Sequence, residues 1–257
     1  MRHLRDVSEK DRQTLRPGTA APAASRDHGP PTERSSRADI EAFVARAQST
    51  APAPEGPRGR LMFALDATMS RQPTWDRACR IQAEMFEEAG EIGGLDIQLV
   101  YFRGFDECRA SKWISNAERL RDVMTGIECR GGLTQIRKVL RRAIDETRRE
   151  RVQAVVYVGD CMEEDVDALC ARAGELGLLK VPVFIFQEGN NGPASAAFSE
   201  IARLTGGAHL SFSASAPDEL RRLLRAVAVY AAGGRKALAD MSARGEKGAQ
   251  LLIGKMS

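Results

Sequence analysis

Three short stretches carry oxygen donors at spacings that could hold a hard cation. Asp66, Thr68 and Ser70 alternate along Asp66-Ala67-Thr68-Met69-Ser70, directly after the apolar run Leu61 to Leu65. Gly131-Gly132-Leu133-Thr134 presents a further hydroxyl after a glycine turn, and Asp160 follows a second apolar run, Ala154 to Val158, and Gly159. Two carboxylates and three hydroxyls make an oxygen-only set. Such a set suits Mg²⁺, which takes octahedral geometry at roughly 2.0–2.1 Å and usually keeps several waters.

The two apolar runs have strand length, so each would aim an acid beyond the carboxyl end of a strand. In open α/β sheets that crevice is where ligands bind. Further strands are expected at Leu95 to Phe102, Val181 to Gln187 and His209 to Ser213, with a short edge strand or loop in Gly104 to Ser115. Helices are expected from Pro73 to about Ala89, at Asn116 to Met124, Thr134 to Arg149, Glu163 to Leu176, Ala194 to Thr205 and Pro217 to Ala231. Strands alternating with helices at this spacing predict βαβ units with right-handed crossovers. The fold class is therefore α/β, a doubly wound, mainly parallel sheet flanked by helices.

Asp66-Ala67-Thr68-Met69-Ser70 resembles the D-x-[ST]-x-S motif of von Willebrand factor type A (VWA) domains. Thr134 after its double glycine resembles that family's isolated threonine, and Asp160 its later aspartate. The resemblance spans roughly residues 60–230 and is to the intracellular type found in bacteria. It implies a Rossmann-like sheet of about six strands and a metal-ion-dependent adhesion site. By that resemblance Thr68 and Ser70 bind the metal directly and Thr134 does so when a ligand is engaged. Asp66 and Asp160 act largely through waters and hydrogen bonds. The implied cofactor is Mg²⁺, with Mn²⁺ as the alternative, and the implied ligand is an Asp or Glu of a protein partner, in the setting of an ATPase-associated complex. Thr68 departs from the commoner serine but keeps the donor oxygen, while Cys161 and Met162 after Asp160 are unusual.

With 257 residues and a hydrophobic share of 43%, the chain can bury one sizeable core. Residues 1–59 read as a basic, Pro/Ala-rich disordered arm, since they offer too little apolar surface to offset chain entropy. Within it, Ile40, Phe43, Val44 and Ala47 predict a short amphipathic helix over 39–48 that docks either on its own domain, the favoured reading, or on a partner. The VWA domain is expected over 60–232. Residues 233–257 are expected as a partly helical tail, with a helix around Lys236 to Arg244 and an apolar patch at Leu251-Leu252-Ile253, and read as a fraying terminus rather than a partner-docking segment. Residues 1–60 and 233–257 each carry three more Lys/Arg than Asp/Glu, so the net charge of +3 leaves the middle acidic. That argues against reading the basic balance as a nucleic-acid or membrane surface on the domain.

Five cysteines, an odd number with no C-x-x-C pair, fit neither a zinc framework nor a disulfide scaffold. Met1 to Lys10 alternates charges without an apolar core, and no run approaches membrane-span length. A reducing cytoplasm is the expected compartment.

The same residues fit other chemistries less well. A haloacid-dehalogenase-type phosphatase needs a second aspartate two residues after the first, and Thr68 stands there. Ser, His and Asp form no evident catalytic set, because His3 and His28 lie in the arm and His209 begins a strand. The glycines at 131–132 and 189–192 lack the rest of a P-loop. Neither enzyme nor ATPase is expected. The basic helix over 137–151, with Arg137, Lys138, Arg141, Arg142, Arg148, Arg149 and Arg151, could track a nucleic-acid backbone, but Asp145, Glu146 and Glu150 beside it favour a solvated face. Cys161, next to Asp160, is either packed or a reactive thiol, packing being the expected role.

Overall fold

The computed structural model describes residues 58–71, 94–213 and 217–256. The chain divides into two units, residues 1–49 and 50–257, and every described residue belongs to the second. The helices expected at 39–48 and from Pro73 to Ala89 lie outside the described residues.

Six strands form one sheet in the order β3-β2-β1-β4-β5-β6. They are β1 (Gly59–Asp66), β2 (Leu95–Arg103), β3 (Glu107–Ala110), β4 (Ala154–Gly159), β5 (Val183–Glu188) and β6 (Ala208–Phe212). All neighbours are parallel except β2 and β3, which are antiparallel. The short edge strand is thus real, and the rest is the doubly wound parallel sheet that the alternation of strands and helices predicts.

Both faces are covered, for a reason visible in the period-two alternation of side chains along a strand. Leu61, Phe63 and Leu65 join Leu95, Ile97, Leu99, Val156, Val158, Phe184 and Phe186 on one side. Met62 and Ala64 join Val100, Phe102, Val155, Tyr157, Val183 and Ile185 on the other. The first face packs against helices α1 (Ala117–Thr125), α5 (Pro217–Ala243) and α6 (Lys247–Lys255). The second packs against α2 (Ile136–Arg149), α3 (Val166–Leu178) and α4 (Gly192–Thr205). Every residue of β1 is buried, so the sheet is built around it.

The expected tail is part of this packing. α5 continues past residue 232, bending where Gly234 takes φ 69°, a value that glycine adopts without steric cost. Leu238, Met241, Ala249 and Leu252 are all at most 3% exposed and belong to the first-face core. The sequence marked this segment only as partly helical with a small apolar patch. Only the sheet face left open beside α5 determines that it docks here, and the expected fraying does not occur over 233–256. Among the described residues, no helix is long and apolar enough to cross a membrane.

Candidate metal centre

β1 lies between β2 and β4, with later strands running outward on the β4 side, so the sheet changes direction between β1 and β4. Leu65 pairs with Val158, which brings the ends of these two strands level. Asp66 closes β1 and Asp160 follows β4, so both carboxylates meet at the topological switch point.

Asp66 has no exposed surface. Its Oδ1 accepts the Thr68 amide at 2.8 Å, while Oδ2 is buried without a hydrogen-bond partner. Burial pushes its carboxyl up to about 6 from 3.8, against the pull of the Thr68 hydrogen bonds, with Asp160 adding to the rise and Arg71 opposing it. Asp160 likewise carries a buried, unpartnered Oδ1. Ligand atoms of Asp66, Asp160 and Cys161 all lie within 4.8 Å of one another. The Thr68 and Ser70 hydroxyls stand 3.1 Å apart, Thr68 buried and Ser70 exposed, so this end of the cluster opens to solvent.

Thr134 reaches the cluster's neighbourhood through its loop. The Arg130 amide donates to the Ala67 carbonyl at 3.0 Å, and Thr68 and Arg130 form a parallel bridge. The Thr134 hydroxyl accepts the Glu163 amide at 3.2 Å, and the Thr134 amide donates to the Glu163 carboxylate at 3.0 Å. The loop before α2 is therefore tied to both acid-bearing loops. Thr134 itself lies two residues before α2, with Gln135 at the N-cap, so the helix begins later than its sequence pattern suggests.

The acidic run after Asp160 serves two helices rather than its own alone. Asp165 does cap α3, accepting the Ala168 amide at 2.8 Å. Glu164, however, crosses to α2 and accepts the amides of Ile136 and Arg137, taking over the capping that the Gln135 side chain does not provide. Exposed N–H groups at a helix start favour a carboxylate, whichever element carries it.

Gly132 allows the tight approach of the Thr134 loop. A Cβ there would stand 2.0 Å from the Gly104 carbonyl oxygen, whereas one on Gly131 would meet nothing within 4 Å. Gly132→Ala is accordingly expected to lower stability by about 3 kcal/mol, and Gly131→Ala to change it by less than about 0.5 kcal/mol. Thermal or urea melts of the two variants check this, and equal effects would contradict the steric account.

Two side chains of the centre lie outside the sequence motif. Arg71, only 1% exposed, follows Ser70 and pairs with Glu188 at the end of β5. Burial pulls its guanidinium down, while Asp160 and then Asp66 hold it up. The adjacency of Arg71 to the motif was readable; its pairing with a residue on another strand was not. Cys161 is half-buried, and its thiol donates to the Glu163 carboxylate at 3.5 Å. Burial first and Asp160 next push the thiol well above its ordinary range, which is the opposite of an activated nucleophile.

No protein-family model and no curated protein matches this sequence. Solved structures do match. The VWA domain of SpRpn10 is 12% identical, with a TM-score of 0.53 over 63% of this chain and 95% of that one. Proximal thread matrix protein 1 from the mussel byssus, with a zinc-occupied MIDAS motif, is 17% identical, with a TM-score of 0.53 over 67% of this chain and 45% of that one. The D319A mutant of the PilB minor pilin from Streptococcus sanguinis is 10% identical, with a TM-score of 0.54 over 70% and 62%. This chain spans less than half the length of the mussel protein. At such identities the likeness defines the fold, which is that of a VWA domain.

Proposed function

We propose that this chain is a VWA-family interaction module that holds a divalent cation between Asp66, Thr68, Ser70, Thr134 and Asp160 and uses it to bind an Asp or Glu of a partner protein. The observation that carries the reading is the fully buried Asp66 carboxylate, whose Oδ2 has no hydrogen-bond partner and which lies beside Asp160. A buried acid left this way is costly unless a positive charge completes it. Hydroxyl donors from Thr68 and Ser70 add no negative charge. A bound cation would supply a coordination position and residual charge for an incoming carboxylate.

The oxygen donors suit Mg²⁺ or Mn²⁺, and the zinc in the mussel protein's MIDAS motif supports a divalent cation of some kind. The intracellular bacterial type and an ATPase-associated partner rest on the sequence resemblance, and the cytoplasm on the cysteine pattern.

The role proposed is binding without catalysis. The His209 ring is hydrogen-bonded to the Ser199 hydroxyl at 2.9 Å and to the Gln187 side chain at 3.0 Å. Gln187 is neutral and cannot stabilise an imidazolium as a triad carboxylate would. On α2, Arg141, Arg142, Arg148 and Arg149 each stand in an ion pair with Asp145, Glu146 or Glu175, which favours a solvated face over a nucleic-acid track.

Affinity capture with wild type and Asp66→Ala, in Mg²⁺ and in EDTA, tests the proposal. A partner retained only by wild type and only with the cation is expected. Retention that ignores both changes would sink the reading.

A further inference from the structure

The oxygen donors are not alone in the cluster. Cys161 Sγ lies within 4.8 Å of one carboxylate oxygen of Asp66 and one of Asp160. Two of the three groups show buried oxygens without hydrogen-bond partners, and Asp66 has no exposed surface at all. From this juxtaposition we infer that Cys161 is a direct metal ligand and that the centre prefers a thiophilic cation of the Zn²⁺ class over Mg²⁺. The inference rests on the cation site proposed above and identifies the class of metal that it takes.

The geometry is within reach of a common centre. With Zn–S near 2.3 Å and Zn–O near 2.1 Å, tetrahedral donors stand about 3.6 Å apart. The three groups stand within 4.8 Å of one another, at most about 1.2 Å wider than that spacing. Thr68 or Ser70, or a water on the exposed Ser70 side, completes the coordination. Sulfur is the decisive donor because thiolate binds Zn²⁺, Co²⁺ and Cd²⁺ strongly and Mg²⁺ poorly.

Binding exchanges the Cys161 S–H bond for a sulfur–metal bond, and the proton leaves to solvent past Glu163, which already accepts the S–H hydrogen bond. No oxidant or reductant enters the step. Without a cation, the two neighbouring carboxylates oppose a thiolate. A divalent cation reverses that balance.

Co²⁺ is the probe for the test, because a cobalt–thiolate bond gives a sulfur-to-metal charge-transfer absorption in the near ultraviolet and oxygen ligation does not. Wild type titrated with Co²⁺ is expected to show the band, Zn²⁺ to displace it, and Cys161→Ser to lose it. The same variant is expected to lower the ratio of Zn²⁺ to Mg²⁺ affinity about tenfold or more. Cys79, Cys108, Cys129 and Cys170 remain in this variant, so the loss is specific to one thiol. Co²⁺ bound by wild type without the band, or a band that persists in Cys161→Ser, overturns the inference and leaves the cation site standing. Wild type that binds neither Co²⁺ nor Mg²⁺ overturns the site itself.

Discussion

Arg71→Met is expected to destabilise the cation-free protein by about 3–5 kcal/mol, the cost of removing one partner from a buried ion pair. Arg71 is only 1% exposed and pairs with Glu188, whose side chain is 12% exposed. It also stands in the field of Asp160 and Asp66. Methionine approaches its length without its charge, so three carboxylates would share the region without the guanidinium that now offsets them. A divalent cation should then stabilise the variant more than wild type, because it restores positive charge where more has been lost. Urea melts in EDTA and in excess Mn²⁺ or Zn²⁺ measure both effects. A loss below about 1 kcal/mol would mean that Arg71 contributes little to holding the acids together.

Asp66→Asn should abolish cation binding and, in EDTA, make the protein more stable. Burial raises the Asp66 carboxyl from 3.8 to about 6. Between those values the folded chain holds a proton that the unfolded chain has released. The group's contribution is therefore most favourable below pH 4, falls as pH rises through 6, and stays unfavourable above it. Moving a carboxyl that far corresponds to roughly 3 kcal/mol at neutral pH. Asparagine is neutral and keeps an oxygen for the Thr68 amide, so a gain of about 1–3 kcal/mol over wild type is expected at pH 7.5 without cation. The gain should shrink towards pH 4. Saturating divalent cation should reverse the order, since only wild type gains from binding. Melting curves across pH, with and without cation, read all three effects. Equal stabilities at pH 7.5 in EDTA would remove the idea of a carboxylate held ready for a cation.

Asp66 and Arg71 differ in how much of their role is written locally in the chain. Asp66 could be chosen from the sequence, because an apolar run of strand length followed by alternating oxygens is a local pattern. Asp160 after the second run was legible in the same way, and the fold brings it beside Asp66; the double glycine marked the loop of Thr134, which the fold ties to Glu163. Arg71 was not. Its partner Glu188 lies on β5, and no periodicity within either segment links them. The roles of Glu164 and Cys161 were equally hidden. Glu164 caps a helix other than its own, and the Cys161 thiol came within 4.8 Å of the two carboxylates only when the ends of β1 and β4 were brought level.

The apolar runs and the polar residues that end them thus determined by themselves that strands would carry acids at one edge of a parallel sheet, since run length and turn chemistry act over a few residues. Tertiary structure alone decided which distant groups share the buried space at that edge, and that residues 233–256 complete the first-face core. Charge and burial act between whichever atoms packing brings together. That selection depends on strand order and helix docking, which no short window of sequence contains.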